Sequence, residues 1–311
     1  MKTRVGQNLR HFLTLKDYSK KEIENLIELA TKIKKSRRMY RNLLQGKSIA
    51  LLFEKPSTRT RLSFETGIYQ LGGNCIYLDA ESLQLKRGET MEDTARVFSR
   101  YLDGVVIRTF EQERVELLAR NSTIPVINGL TDLYHPCQAL SDLFTLYELG
   151  LLRKDIKFTY VGDCNNVLNS LLIGFSKLGL DISVGCPEKY RPIKEVLDYV
   201  LELSKKTGSN IKIYSDPVEA VRDADVVYTD VWISMGEKRM EEKISELRKF
   251  QVNDWLLSYA RENVKVMHCL PAHREEEITS DVLDSEKSIV WQQAENRLHA
   301  QKALFVYLYT L

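Results

Sequence analysis

Residues 53 to 64 read FEKPSTRTRLSF, with two arginines and four hydroxyl residues in the seven positions 57–63. The stretch lies where an apolar run gives way to helical periodicity. A helix N-terminus offers unsatisfied N–H groups and the positive end of the helix dipole, a seat suited to phosphate. Ser57, Thr58 and Thr60 add hydroxyl donors and Arg59 adds a charged fork. Arg59 and Arg61 are two residues apart, so they face nearly opposite ways once the helix has begun. Only one can hold a ligand. Arg61 can pair with Glu65 four residues on, which leaves Arg59 as the ligand candidate. The ordinary alternative is a capped helix with two surface arginines.

Four further stretches carry polar chemistry at the ends of apolar runs. Arg108 closes GVVIRT, and an arginine there faces the carboxyl edge of a parallel sheet, where open α/β folds bind ligands. A buried salt bridge would explain it equally. His135 and Gln138, in LYHPCQAL, flank a helix start at the same edge, and each can donate to a carbonyl or phosphate oxygen. Asp230, at the end of DVVYTD, is a partner for an ammonium group or a plain strand-end cap. Cys269 follows His268 in VKVMHC, which suggests a nucleophile, and with His273 faintly suggests zinc. Neighbours on a strand point to opposite faces, and no further ligands follow at metal spacing. No metal is therefore expected.

These residues require a scaffold of alternating strands and helices. Ser19 to Glu22 forms a capping box for a helix through the mid thirties. SIALLF, NCIYLD, GVVIRTF and IPVIN read as four strands of a first half, separated by helices, one of them opening at Thr90. Pro136 suits the first position of the next helix. From about residue 151 the alternation restarts with IKFTYVGD, DISVGC, IKIYS, DVVYTDVW, VKVMHCLP and SIVW as strands, and a closing helix begins near AENR. The fold class is α/β, with two Rossmann-like domains, each a mainly parallel sheet flanked by helices. The first spans 1–145, joined by the C-terminal helix at about 292–311, and the second spans 146–291.

Composition excludes several classes. With 311 residues, 43% hydrophobic, 28% charged and a net charge of +2, the chain reads as globular, without the charge imbalance of a nucleic-acid or membrane binder. Six basic residues between 32 and 41 lack interleaved aromatics and suit the C-terminal end of a helix. The five cysteines form no CxxC pair and argue for a reducing cytoplasm. No apolar stretch reaches the roughly 18 residues of a membrane span, and residues 1–15 lack a signal-peptide core. VGDCNNVLNS has no GxGxxG, which weakens a dinucleotide-dependent oxidoreductase reading.

STRTR followed by SFE, then HPCQ, DVWISMG and HCLPAHR in that order, resembles the ornithine carbamoyltransferases of the aspartate/ornithine carbamoyltransferase superfamily. The similarity runs through nearly all of the chain. STRTR and HPxQ belong to the whole superfamily; SMG and HCLP resemble the ornithine branch. The resemblance implies a transferase that moves the carbamoyl group of carbamoyl phosphate to the side-chain amine of L-ornithine, giving citrulline and phosphate in arginine metabolism. It implies that Ser57, Thr58, Arg59 and Thr60 cradle the phosphate, and that Arg108, His135 and Gln138 face the carbamoyl end. Pro136, Cys137, Cys269, Leu270 and Arg297 join the carbamoyl phosphate set, as does Gln84, which matches a glutamine sent into a neighbouring subunit's site, hence a homotrimer or an assembly of trimers. Asn166, Asp230, Ser234 and Met235 match the ornithine site, with Gly236 in a mobile lid. Cys269 is implied to stand beside the ornithine side chain, holding or deprotonating its amine. Arg108, His135 and Cys269 are the catalytic candidates, with no cofactor. Other acceptors in the same fold (putrescine, acetylated ornithine, aspartate) and a catalytically silent paralogue are the competing readings. SMG disfavours the first two acceptors, and the filled chemical positions disfavour the paralogue.

Overall fold

The computed structural model describes residues 9–36, 38–80, 83–234 and 238–310. The chain divides into two compact units, Met1–Ser141 with Arg297–Leu311, and Asp142–Asn296.

The first unit is built on a four-stranded parallel sheet in the order β2-β1-β3-β4, from β1 (Ser48–Phe53), β2 (Asn74–Asp79), β3 (Gly104–Arg108) and β4 (Val126–Leu130). β1 and β3 are almost wholly buried, which is why their apolar residues run together rather than alternate, while the edge strand β2 stays half exposed. The capping box at Ser19 opens α1 (Lys20–Lys35), whose last turn carries Lys32, Lys34 and Lys35 against the dipole. Two elements position the ligand candidates. α2 (Thr58–Gln70) leaves β1 with Ser57 as N-cap, its hydroxyl accepting from the Thr60 N–H. α5 (Pro136–Glu148) follows β4 with Pro136 at its first position.

The second unit carries a five-stranded parallel sheet in the order β7-β6-β5-β8-β9, from β5 (Phe158–Val161), β6 (Ile182–Gly185), β7 (Ile211–Tyr214), β8 (Val226–Thr229) and β9 (Lys265–His268). Asn165 caps α6 (Asn166–Leu178), accepting from the N–H groups of Val167 and Leu168. One expected strand is absent: in SIVW only Ser288 makes an isolated bridge, to Val266, and Val290 already begins α12 (Val290–Thr310). A short apolar run cannot distinguish a strand from a helix start, and here the helical periodicity of the residues that follow prevails.

Candidate active site

In the first unit, sheet order does the gathering. β1, β3 and β4 are adjacent and parallel, and Phe53 pairs with Arg108 in register, so their carboxyl ends lie side by side. The N-terminus of α2 follows the first of these ends, Arg108 terminates the second, and His135 to Gln138 follow the third. Thr60, Arg108, His135 and Gln138 are all buried, while Ser57 and Arg59 are partly exposed and Thr58 is exposed. Arg297, from α12, joins two of the segments: Nη1 donates to Gln138 Oε1 at 2.6 Å and Nη2 to Thr60 Oγ1 at 3.3 Å. Burial, followed by the Arg297 and Arg108 cations, holds the His135 pKa well below its ordinary 6.5. His135 is thus a neutral imidazole among cations, able to polarise an oxygen without adding charge. Arg61 takes the other role expected of it, pairing with Glu65 at 3.1 Å and lying over the Tyr77 ring at 3.7 Å.

Two candidates sit differently. The Cys137 thiol points back to the Asn128 carbonyl on β4 at 3.3 Å, and burial pushes its pKa up to about 12, so only the backbone of this residue can serve a ligand. Gln84 is exposed at the start of a 3-10 helix, Gln84–Arg87, after the edge strand β2. Two residues of the opening motif had gone unassigned. Lys55 is buried, ion-pairs with Asp132 and lies 4.4 Å from the Phe110 ring centroid. Glu54 binds Thr109 and, at 2.5 Å, Arg114. These bonds tie the loop before α2 to the segments that follow β3 and β4. Charged residues beside Pro56 signalled them, but the partners are remote in sequence.

In the second unit the adjacent strands β5, β8 and β9 end together, and Thr229 pairs with His268 in register. The next residues meet: the Cys269 thiol donates to Asp230 Oδ1 at 3.0 Å. Asn165 Nδ2 donates to Asp230 Oδ2 at 2.7 Å, so the helix cap also orients the carboxylate. Asn166, the residue singled out in the sequence, follows it as the first residue of α6. Gly162 allows the sharp exit from β5 into this loop, with a φ of +124° that side chains rarely adopt. Burial foremost, then Asp230, drives the Cys269 thiol well above its usual range, so it remains protonated at neutral pH. Ser234 is partly buried beyond the fully buried Trp232; Met235 and Gly236 lie outside the described residues. Lys243, on the helix Glu241–Leu247, and Asp163, just after β5, form a buried ion pair at 3.0 Å that the sequence did not signal.

Asp230, His268 and Cys269 bring possible metal-ligand atoms together. His268, however, has no lone pair to give. Its Nδ1 accepts the Leu270 N–H at 2.8 Å, so Nε2 carries the proton and donates to buried Glu277 at 2.9 Å. These bonds also hold Leu270 at φ +58°, a left-handed conformation strained for this side chain.

Residues 10–148 match the family model for the carbamoyl-P binding domain of aspartate/ornithine carbamoyltransferases, and residues 154–308 match that for the Asp/Orn binding domain. The chain is 50% identical over 302 residues to an ornithine carbamoyltransferase of Bacillus thuringiensis subsp. konkukian, covering 97% of this chain and 95% of that one. Its fold is similar to that of the ornithine carbamoyltransferase from Pyrococcus furiosus, with TM-score 0.91, 50% identity and 95% of each chain covered. It is also similar to an anabolic ornithine carbamoyltransferase from Campylobacter jejuni, with TM-score 0.91, 40% identity, and 96% of this chain and 99% of that one covered.

Proposed function

The chain belongs to the aspartate/ornithine carbamoyltransferase family, and from that premise we propose that it transfers the carbamoyl group of carbamoyl phosphate to the side-chain amine of L-ornithine. The products are citrulline and phosphate, a step of arginine metabolism. The observation that carries this reading is the buried Arg297 guanidinium bridging Gln138 and Thr60 in the unit that also buries Arg108 and His135 at successive strand ends. Such a cluster of donors and cations suits a small anion.

In the proposed mechanism the α2 amides, Ser57, Thr58, Arg59 and Arg297 neutralise the phosphate. Arg108, His135 and the Thr60 hydroxyl polarise the carbamoyl carbonyl as an oxyanion hole, each donor contributing about 3–4 kcal/mol. The proposed ornithine site takes Asn166, Asp230, Ser234, Met235 and Cys269. A free alkyl amine titrates at about 10.4, so the site has to favour the neutral, nucleophilic form. A protonated thiol cannot accept that proton, so Cys269 orients the amine and Asp230 reads the α-amino group. Attack on the carbonyl carbon gives a tetrahedral intermediate, which collapses with loss of phosphate. The leaving group is already activated, so no cofactor is called for.

A homotrimer is the proposed assembly, with Gln84 reaching the neighbouring site; the exposure of Gln84 supports it. A cytoplasmic location is proposed on the five free cysteines. Among the described residues no helix is long and apolar enough to cross a membrane. Citrulline formation by the purified protein, compared with Arg108→Ala and Arg59→Ala, tests the function: both variants should lose activity by at least a hundredfold, and near-native turnover in both would sink it.

A further inference from the structure

The loop after β9 gathers three metal-ligating side chains that carbamoyl transfer as described does not use. His273, Glu276 and Glu277 each bring one possible ligand atom within 4.8 Å of the other two. Glu277 is fully buried, and its Oε1 is engaged twice, accepting His268 Nε2 at 2.9 Å and the His273 backbone N–H at 2.6 Å. Its Oε2 is buried and accepts no hydrogen bond among the described residues. Glu276 repeats the pattern. Its Oε1 takes Arg239 Nη1 at 2.9 Å, whereas its Oε2 is buried, accepts no hydrogen bond among the described residues, and stands 3.9 Å from His273 Nδ1. The His273 ring is half exposed and makes no hydrogen bond among the described residues, so Nδ1 keeps its lone pair in the Nε2–H tautomer. Zinc at Cys269 and His273 lacked company in the sequence; the folded loop gives His273 different partners.

Charge points the same way. The His268 imidazole is neutral, since its Nδ1 accepts the Leu270 N–H, so it gives Glu277 a hydrogen bond without a counter-charge. Arg239 pairs with Glu276 and Glu241, and its side chain is more than half exposed, so solvent screens it. The two neighbouring carboxylates thus share one screened cation, and a carboxylate buried without a partner is costly. A divalent ion would answer both the charge and the two unused oxygens. We propose that His273 Nδ1, Glu276 Oε2 and Glu277 Oε2 bind a divalent transition-metal ion of the zinc class, with water completing its shell on the exposed His273 side. One imidazole and two carboxylates are ligands that zinc accepts. Tetrahedral bonds of about 2.1 Å set ligand atoms about 3.4 Å apart. The observed His273–Glu276 separation of 3.9 Å is close to that, and rotation of the exposed imidazole closes the gap. The backbone beneath is already held: the Glu276 N–H donates to the His273 carbonyl at 2.9 Å, and Gln251 Nε2 donates to the carbonyls of Glu275 and Glu276 at 3.0 and 2.9 Å. Through Glu277 the ion would load the His268 imidazole that fixes the Leu270 amide. The site is independent of which amine the chain carbamoylates.

The test titrates zinc chloride calorimetrically into the chelator-treated full chain, His273→Ala, Glu276→Gln and a Cys269→Ala control. The first two substitutions sit at the solvent-facing rim of the site, and a circular dichroism spectrum shared with the parent checks their fold. The parent should show one saturable zinc site per chain, which each ligand variant weakens at least tenfold and Cys269→Ala leaves within twofold. Zinc should raise the Tm of the parent and of Cys269→Ala, and leave that of the ligand variants unchanged. Cobalt(II) in the same site should show d–d absorption without a thiolate-to-metal charge-transfer band. Absence of saturable binding, or equal binding in the parent and either ligand variant, would overturn the proposal. Loss of binding in Cys269→Ala, or a charge-transfer band, would overturn it too, by placing the ion on a cysteine. If one ligand variant does not fold, the other decides.

Discussion

Replacing Arg297 with methionine separates a strut from a ligand-binding cation. Its two bonds, 2.6 Å to Gln138 and 3.3 Å to Thr60, come from a buried guanidinium. A hydrogen bond with a charged donor contributes about 1.5–3 kcal/mol net, with the short bond at the upper end and the long one at the lower. Methionine keeps a straight apolar stem but leaves Gln138 Oε1 without this donor, a gross cost of about 4 kcal/mol. Release of the guanidinium's own burial penalty offsets part of that. A loss of about 2–3 kcal/mol in urea unfolding follows. If the guanidinium also neutralises charge developing on the phosphate, its removal raises the barrier by a further 3 kcal/mol or so, roughly a hundredfold in kcat/KM for carbamoyl phosphate. Arg297→Lys, which keeps the charge but not the fork, should fall between. Citrulline assays under conditions where all variants remain folded provide the comparison. Activity of Arg297→Met within threefold of the parent, alongside the expected loss of stability, would make Arg297 a strut only and refute its proposed contact with substrate.

Other perturbations test the remaining parts of the site. His135 titrates below its ordinary 6.5 in the folded protein, so its cost is absent above that pH; as pH falls through 6.5 the unfolded chain takes a proton that the folded site refuses, and stability drops. His135→Gln should lose stability less steeply between pH 6.5 and 5 in urea titrations, and an equal slope would remove the buried neutral imidazole from the account. Cys269→Ser keeps a donor for Asp230, so kcat should fall only about three- to tenfold; a loss of a thousandfold would mean that the thiolate is the working form. Lys243→Met takes the cation from a buried ion pair and should cost about 3–5 kcal/mol in chemical denaturation, whereas a cost below 1 kcal/mol would mean that solvent reaches the pair.

The legible parts of this molecule were those in which one short stretch carries the whole signal. SIALLF is buried on both faces and reads as a strand without help; Ser57 caps α2 because a hydroxyl precedes a helical pattern. Strand order follows less directly, yet once β1, β3 and β4 are parallel neighbours their polar ends must meet. Contacts between remote segments were not legible. Lys243 and Asp163 are 80 positions apart, and nothing local to either residue announces the partner. The contact of Asn165 with Asp230 was not legible, because a helix cap announces only its own helix; the strand-end geometry shows that this cap also reaches the carboxylate. The protonated state of Cys269 depends on burial and on a carboxylate 39 residues away, which a Cys–His pair read alone conceals.

Isothermal titration of carbamoyl phosphate into the parent protein and into Arg108→Ala and Arg297→Met tests most directly whether separate segments clasp one small dianion. One saturable site per chain in the parent, weakened at least tenfold by each substitution, is the expected result. Equal affinity in all three proteins would mean that the strand-end cations face no common ligand, and the account would fail.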